Sequence, residues 1–509
     1  MTPADEPRPR SILSGGLYVL AAKIFFMVTG LVQQALLPLA IGEAGYGALS
    51  RVMAVANILN NVAVSSSTQG VSRATAASQG KERNALRAAL RVHAPLALGY
   101  GAFMCGLVPL VVAYQRAPHI RIPLLVMAMV LVIYGVYAPL IGYLNGTRSF
   151  ARQAALDGTA AALRTVGLVG VGWLFASRGG SGVVGATVGG VLAASVVFGV
   201  ALRWTGTGAP AEATLLPAGP YLAGILPVIL AQACTNGVMQ ADIILLGHYL
   251  SASATGADPV KAADEWVAVY RACQLFAFLP YQLLFSVTQV LFPMLAKVHA
   301  EGTPADVARL VGKGARLGAI MCGMLVAIVV AMPRSVLAFA YGAKIAARGE
   351  DALHHLALAQ GLFAMLGLAT TVLVSLRREV WAMLVTATTL VLVASLGATL
   401  VPTGAFGGEQ LVFSARATGI ALALGAALAA TLVWRLAGAF IPWKTALRVS
   451  AAVGLAWLAG GRAPPMGRPL TVCAAIACVA GYVLFLAVTG EIGRAEIGMV
   501  RALAKPKTG

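Results

Sequence analysis

Charge is what this sequence has least of. Only 11% of its 509 residues are Asp, Glu, Lys or Arg, and just 18 are acidic, whereas an ordinary soluble domain carries ~25% charged residues. With 59% of positions hydrophobic, the expected solvent is lipid. No polar stretch is long enough for a separate soluble domain. There is no G-x-x-x-x-G-K-[ST] run to cradle nucleotide phosphates, and no H-E-x-x-H or H-x-E with C-x-x-C to hold zinc. A membrane glycosyltransferase would need a sizeable aqueous loop bearing acidic residues, and none is found. The six cysteines (Cys105, Cys234, Cys273, Cys322, Cys473, Cys478) lie in apolar runs without paired spacing and read as small core hydrophobes. The six histidines are scattered, and adjacent His354 and His355 point ~100° apart on a helix, which makes them poor co-ligands. No enzyme activity, metal or cofactor is expected. Transport is the class that remains.

What is present is a succession of apolar windows. A spanning helix needs ~20 such residues, and about fourteen windows qualify: 12–40, 46–67, 92–114, 121–144, 154–176, 181–203, 219–249, 266–294, 316–341, 353–376, 380–402, 411–435, 445–461 and 469–489. The first is too long for a cleavable signal and reads as a retained span. The expectation is an all-α polytopic membrane protein: a tail (1–10), a six-helix lobe (11–205), a second six-helix lobe (206–440), two additional helices (441–490) and a tail (491–509).

The net charge of +19 forms no block or stripe, so nucleic acid is not an expected partner. The basic residues instead divide by side. Alternate connections, counted from the N-terminal tail, hold more than twice the lysine and arginine of the others, which assigns both termini to the cytoplasm. Trp204, Trp266, Trp381, Trp434 and Trp443 fall near span ends as interfacial anchors.

An internal echo supports two lobes. "QQALLPLAIG" ends at Gly42 and "QADIILLG" at Gly247, an offset of 205. "ATAASQGKERNALRAALRV" (74–92) aligns with "AKVHAEGTPADVARLVGKG" (296–314) at an offset of 222, setting Gly80 against Gly302 and Arg87 against Arg309. Parallel repeats of this kind place a substrate site near the midplane between the halves.

Charges inside the spans are the candidates for that site. Lys23 sits mid-way along the first span, Arg51 just inside the second and Arg271 in the eighth, with Arg164 and Arg416 as additions. Arg51 and Arg271 could instead snorkel to the outer headgroups, and Arg164 could pair with Asp157 on the same face. The acidic inventory within spans is short, namely Asp157 and Asp242, so the basic groups read as largely unpaired and the cargo as an anion. Arginine's planar fork suits a phosphate. Gln232, Asn236 and Gln240 form an i, i+4, i+8 stripe suited to sugar hydroxyls or to hydrogen bonds between helices. Asp242 points elsewhere and is either a proton or sodium ligand or half of a salt bridge.

"LPLAIGEAGYGALSRVMAVANIL", "QADIILLGHYLS", "VYRACQLFAFLPYQLLFSVTQVLFPMLAK" and "MPRSVLAFAYG", in that order, resemble the polysaccharide flippase (Wzx-like) branch of the multidrug/oligosaccharidyl-lipid/polysaccharide exporters over roughly residues 10–440. The basic set in the first, second and eighth spans is similar to that of the lipid II flippases. The resemblance implies alternating access and a pyrophosphate clamp of Lys23, Arg51 and Arg271, with Asp242 as ligand for a coupling H+ or Na+. The first-span residue is lysine where those relatives have arginine, and Asp242 has no second acidic neighbour. The implied partners are the lipid bilayer, an undecaprenyl-pyrophosphate-linked glycan and a polysaccharide polymerase or assembly protein. The implied location is the bacterial inner membrane. Lipid II and an organic cation are alternative cargoes, and a non-transporting scaffold is a further alternative.

Overall fold

The computed structural model describes residues 9–78, 80–206, 218–460 and 464–491, without the side chains of 9–24, 26, 218, 285–287, 289, 290 and 293. These residues form α-helices and short 3-10 or π turns, with no strand among them. Packing divides the chain into two compact units, Met1–Arg271 and Ala272–Gly509.

The first unit holds α1 (Pro9–Ala77), α2 (Glu82–Gln115), α3 (Arg121–Gly146), α4 (Phe150–Val166), α5 (Gly172–Ser177), α6 (Gly182–Thr205), α7 (Ala218–Ser253) and α8 (Pro259–Ala277) as far as Arg271. The first two expected spans, 12–40 and 46–67, are two helical limbs of α1 that part at Gly42 in a sharp turn rather than across a longer loop. Gly42 takes φ 77° and ψ 164°, a conformation that is essentially restricted to glycine. The fifth expected span is α4 and α5 joined by a π turn at Gly167–Val171. There the helix passes so close to α6 that a Cβ on Gly189 would lie 1.9 Å from the Gly167 carbonyl oxygen. Val52, Ile120, Leu124 and Leu131 centre the core beneath the second limb of α1. The lobe boundary expected at 205/206 adjoins residues 207–217, which lie outside the described residues.

The second unit holds the end of α8, then α9 (Leu279–Glu301), α10 (Pro304–Ala331), α11 (Pro333–Ser375), α12 (Glu379–Leu400), α13 (Gly408–Ala437), α14 (Trp443–Gly460) and α15 (Arg468–Val488). Two expected spans are cut here. The eighth breaks at Phe278, ahead of Pro280. The ninth breaks at Met332, because Pro333 has no amide hydrogen to continue the α10 ladder. Gly342 repeats the Gly42 conformation inside α11, with φ 80° and ψ 175°. Among the described residues, eleven helical segments are long and apolar enough to cross a membrane, with the bent α1 counted as one.

The last described residue ties this unit together. Glu491 is buried and accepts hydrogen bonds from Arg316 Nε of α10 (2.7 Å), and from Arg448 Nη1 (2.7 Å) and Thr445 Oγ1 (2.5 Å) of α14. Burial alone would push its carboxyl up, but the bonds from Thr445, Arg448 and Arg316 outweigh that and hold it below the ordinary value of 4.5. A carboxyl depressed on folding adds stability above its unfolded pKa, and that stability is lost as pH falls through the folded pKa. Thermal unfolding between about pH 7 and about pH 3 should therefore show a larger acid loss for the wild type than for Glu491→Gln. Parallel acid curves would remove Glu491 from that role.

Candidate substrate site around Arg51

Arg51 lies in the second limb of α1 and is fully buried, with 0% exposure. Its Nε stands 2.8 Å from Asp264 Oδ1 in the first turns of α8, and His119 Nε2 stands 2.8 Å from the other oxygen of Asp264. Nη1 donates to Ser251 Oγ (2.8 Å) and to the Gly247 carbonyl (3.1 Å), with a longer contact to the Gln115 carbonyl (3.4 Å). Gln115 closes α2, and Ser251 and Gly247 sit in the last two turns of α7. Two helix C-termini, the negative ends of their dipoles, thus meet one guanidinium.

Small residues permit this. A Cβ on Gly47 would lie 1.8 Å from the Asp264 carbonyl oxygen, so only glycine admits α8 one turn before Arg51. A Cβ on Gly247 would lie 2.9 Å from Gln115 Oε1 and 3.6 Å from the Arg51 guanidinium carbon. The polar account is still not closed. Arg51 Nη2 and both amide atoms of Gln115 are buried without a hydrogen-bond partner among the described residues, and the Nε–Asp264 contact is close but not aligned as a hydrogen bond. A buried guanidinium that keeps a free donor is suited to one more anionic oxygen.

The reading of Arg51 as an unpaired cation is therefore corrected. Asp264, which falls between the expected spans 219–249 and 266–294, is on α8 and buried. Asp264, His119 and Gln115 were missed because each sits at a helix end beside polar sequence. The one available signal is that Asp264 precedes Arg271 by seven residues, on the same face of "DEWVAVYR".

The other candidates separate. Lys23 falls on α1, but its side chain lies outside the described residues. Arg271 is half-buried on α8, two turns beyond Asp264. Arg164 Nε reaches Gln33 Oε1 at 3.4 Å. Arg416 is exposed in the second unit, 3.2 Å from His355 Nε2. Asn236 is buried and bridges helices, accepting from Asn61 Nδ2 of α1 (2.7 Å) and donating to the Gln232 carbonyl (2.8 Å). Gln240 is buried with its Oε1 unsatisfied among the described residues. Asp242 is buried and accepts from Tyr270 of α8 (2.9 Å) and from the Ile243 amide (2.7 Å). No group of three His, Cys, Asp or Glu side chains able to hold a metal occurs among the described residues.

Known proteins resemble this chain in fold. The lipid II flippase MurJ, inward closed conformation, superposes with a TM-score of 0.73 at 12% identity, over 96% of this chain and 100% of that one. The outward-facing conformation of a multidrug resistance MATE family transporter of the MOP superfamily gives 0.57 at 16% identity, over 86% and 96%. A MOP superfamily transporter from Pyrococcus furiosus gives 0.58 at 15%, over 83% and 96%. No curated protein matches the sequence. The family described as "Polysaccharide biosynthesis protein" matches residues 12–299. Since that match covers more than half of its length, the chain belongs to the polysaccharide biosynthesis protein family.

Proposed function

We propose that this protein is a flippase that carries an undecaprenyl-pyrophosphate-linked oligosaccharide across the bacterial inner membrane, feeding surface polysaccharide assembly by alternating access. The observation that carries this reading is the Arg51 guanidinium, buried and held on two sides while Nη2 has no partner among the described residues. Pyrophosphate oxygens are strong acceptors for that fork. Arg51, Arg271 and Lys23 form the clamp, and Asp242 is the candidate ligand for a coupling H+ or Na+. Family membership supports a polysaccharide pathway, and the basic bias of alternate loops supports cytoplasmic termini. Lipid II is the second reading, favoured by likeness to a lipid II flippase over the whole of that chain; it presents the same pyrophosphate. An organic cation would need a free carboxylate, whereas Asp264 faces Arg51 and Asp242 accepts from Tyr270.

The test is flipping in ATP-free proteoliposomes under an ion gradient, with fluorescent undecaprenyl-pyrophosphate glycan and with lipid II, normalised to folded protein. Loss of a charge-assisted contact of ~1.5–3 kcal/mol predicts that Arg51→Ala weakens cargo binding by about ten- to a hundredfold. Arg51→Lys should recover part of it, keeping the charge without the fork. Normal flipping of both cargoes by the Arg51→Ala, Arg271→Ala double variant would overturn the clamp.

A further inference from the structure

A second basic feature lies within the second unit. A cavity of about 560 Å³ opens where the end of α9, the start of α10, the α11–α12 turn and the end of α13 come together. Its lining includes His299, Thr303, Arg377, Arg378 and Gly438, over an apolar floor that includes buried Val307 and Leu376. The volume is in the range that accepts small ligands. The nearby acids are largely engaged: Asp306 binds Arg309 and caps α10 through Thr303, and Lys297 faces Glu301. Glu379 follows Arg378 and is exposed. Among the described residues neither Arg377 nor Arg378 has a carboxylate partner, and both are exposed.

The backbone adds an independent observation. Arg377 adopts φ 57°, a left-handed conformation that glycine takes freely at a helix C-terminus and that costs energy for a residue with a side chain. Glycine would fold more easily there, so an exchange of Arg377 for glycine separates what the side chain does from what the backbone requires. Arg148, in the turn after α3, has the same conformation with φ 57°.

The surroundings fix the depth. Trp381 in the first turn of α12 and Trp434 in the last turns of α13 are 46% and 63% exposed, and Leu436, which lines the cavity, is 41% exposed. Exposed tryptophan at the ends of apolar helices marks headgroup level. All three connections that line the cavity fall on the same side in the alternation of spans, the side that the basic bias assigns to the cytoplasm.

We propose that this cavity binds the phosphodiester headgroup of an anionic phospholipid, with Arg377 and Arg378 as its anion contacts and the acyl chains leaving past the exposed Leu436 that lines it. A free phosphate offers the same chemistry without acyl chains, and the experiment separates the two. The full chain is placed in nanodiscs of phosphatidylcholine alone or doped with phosphatidylglycerol, and thermal unfolding and lipid retention by native mass spectrometry are read. Phosphatidylglycerol should raise the wild-type unfolding temperature. Arg377→Ala, Arg378→Ala should weaken its retention by about thirtyfold, the product of two arginine–headgroup attractions. In phosphatidylcholine alone, Arg377→Gly should unfold at or above the wild-type temperature, because glycine suits the backbone, yet gain less from phosphatidylglycerol. Unchanged retention by the double variant would overturn the site. So would inorganic phosphate matching the effect of phosphatidylglycerol. A drop in the stability of Arg377→Gly in phosphatidylcholine alone would make the arginine structural and overturn it too. None of these readouts involves the flipped cargo.

Discussion

Asp264→Ala should destabilise the first unit by ~3–5 kcal/mol, the cost of leaving a buried charge without its counter-ion. Arg51 would remain fully buried against the ends of α2 and α7, with carbonyl and hydroxyl acceptors but no anion. Arg51→Ala should cost less, because Asp264 would keep His119, whose side chain is 33% exposed and has access to water. Removing both should cost well under the sum, since the double variant buries neither charge alone. Thermal unfolding of the four proteins in one detergent yields the coupling directly. If Asp264→Ala unfolds at the wild-type temperature, the pair contributes nothing and Arg51 is solvated by other means.

Gly47→Ala should be as damaging, through shape rather than charge. Its new Cβ would fall 1.8 Å from the Asp264 carbonyl oxygen, with the Ala268 amide nitrogen at 3.1 Å. That obstacle is backbone, which cannot rotate away, so α8 has to move. Overpacking in a core costs ~1–3 kcal/mol, and here the shift also pulls Asp264 from Arg51, so the two losses add. Gly106→Ala is the control, because nothing stands within 4 Å of its new Cβ; it should fold in wild-type yield. Equal folded yields and unfolding temperatures for the two alanines would refute the close approach.

Residue types in order made Arg51 conspicuous as a guanidinium inside an apolar run. They could not reveal its neighbours, because Ser251, Gly247, Gln115 and Asp264 are distant in sequence and reach it only through helix ends. The stripe of Gln232, Asn236 and Gln240 was visible from its spacing alone. That Asn236 meets Asn61 depends on how α7 lies on α1. Asp242 was legible as a lone carboxylate, whereas its Tyr270 partner was not.

The sequence by itself determined the solvent, the helical class and the approximate spans, because hydropathy is a local property that ~20 consecutive residues express without reference to the rest of the chain. It also carried the family resemblance, in short motifs read in order. Only the tertiary structure decided that the first two spans meet in a sharp turn at Gly42, that Asp264 is a buried counter-ion rather than a loop residue, and that Arg51 Nη2 has no partner among the described residues. The reason is physical: a charge can be buried only where a partner from another helix arrives, and arrival depends on close approaches such as that at Gly47, which no local pattern encodes.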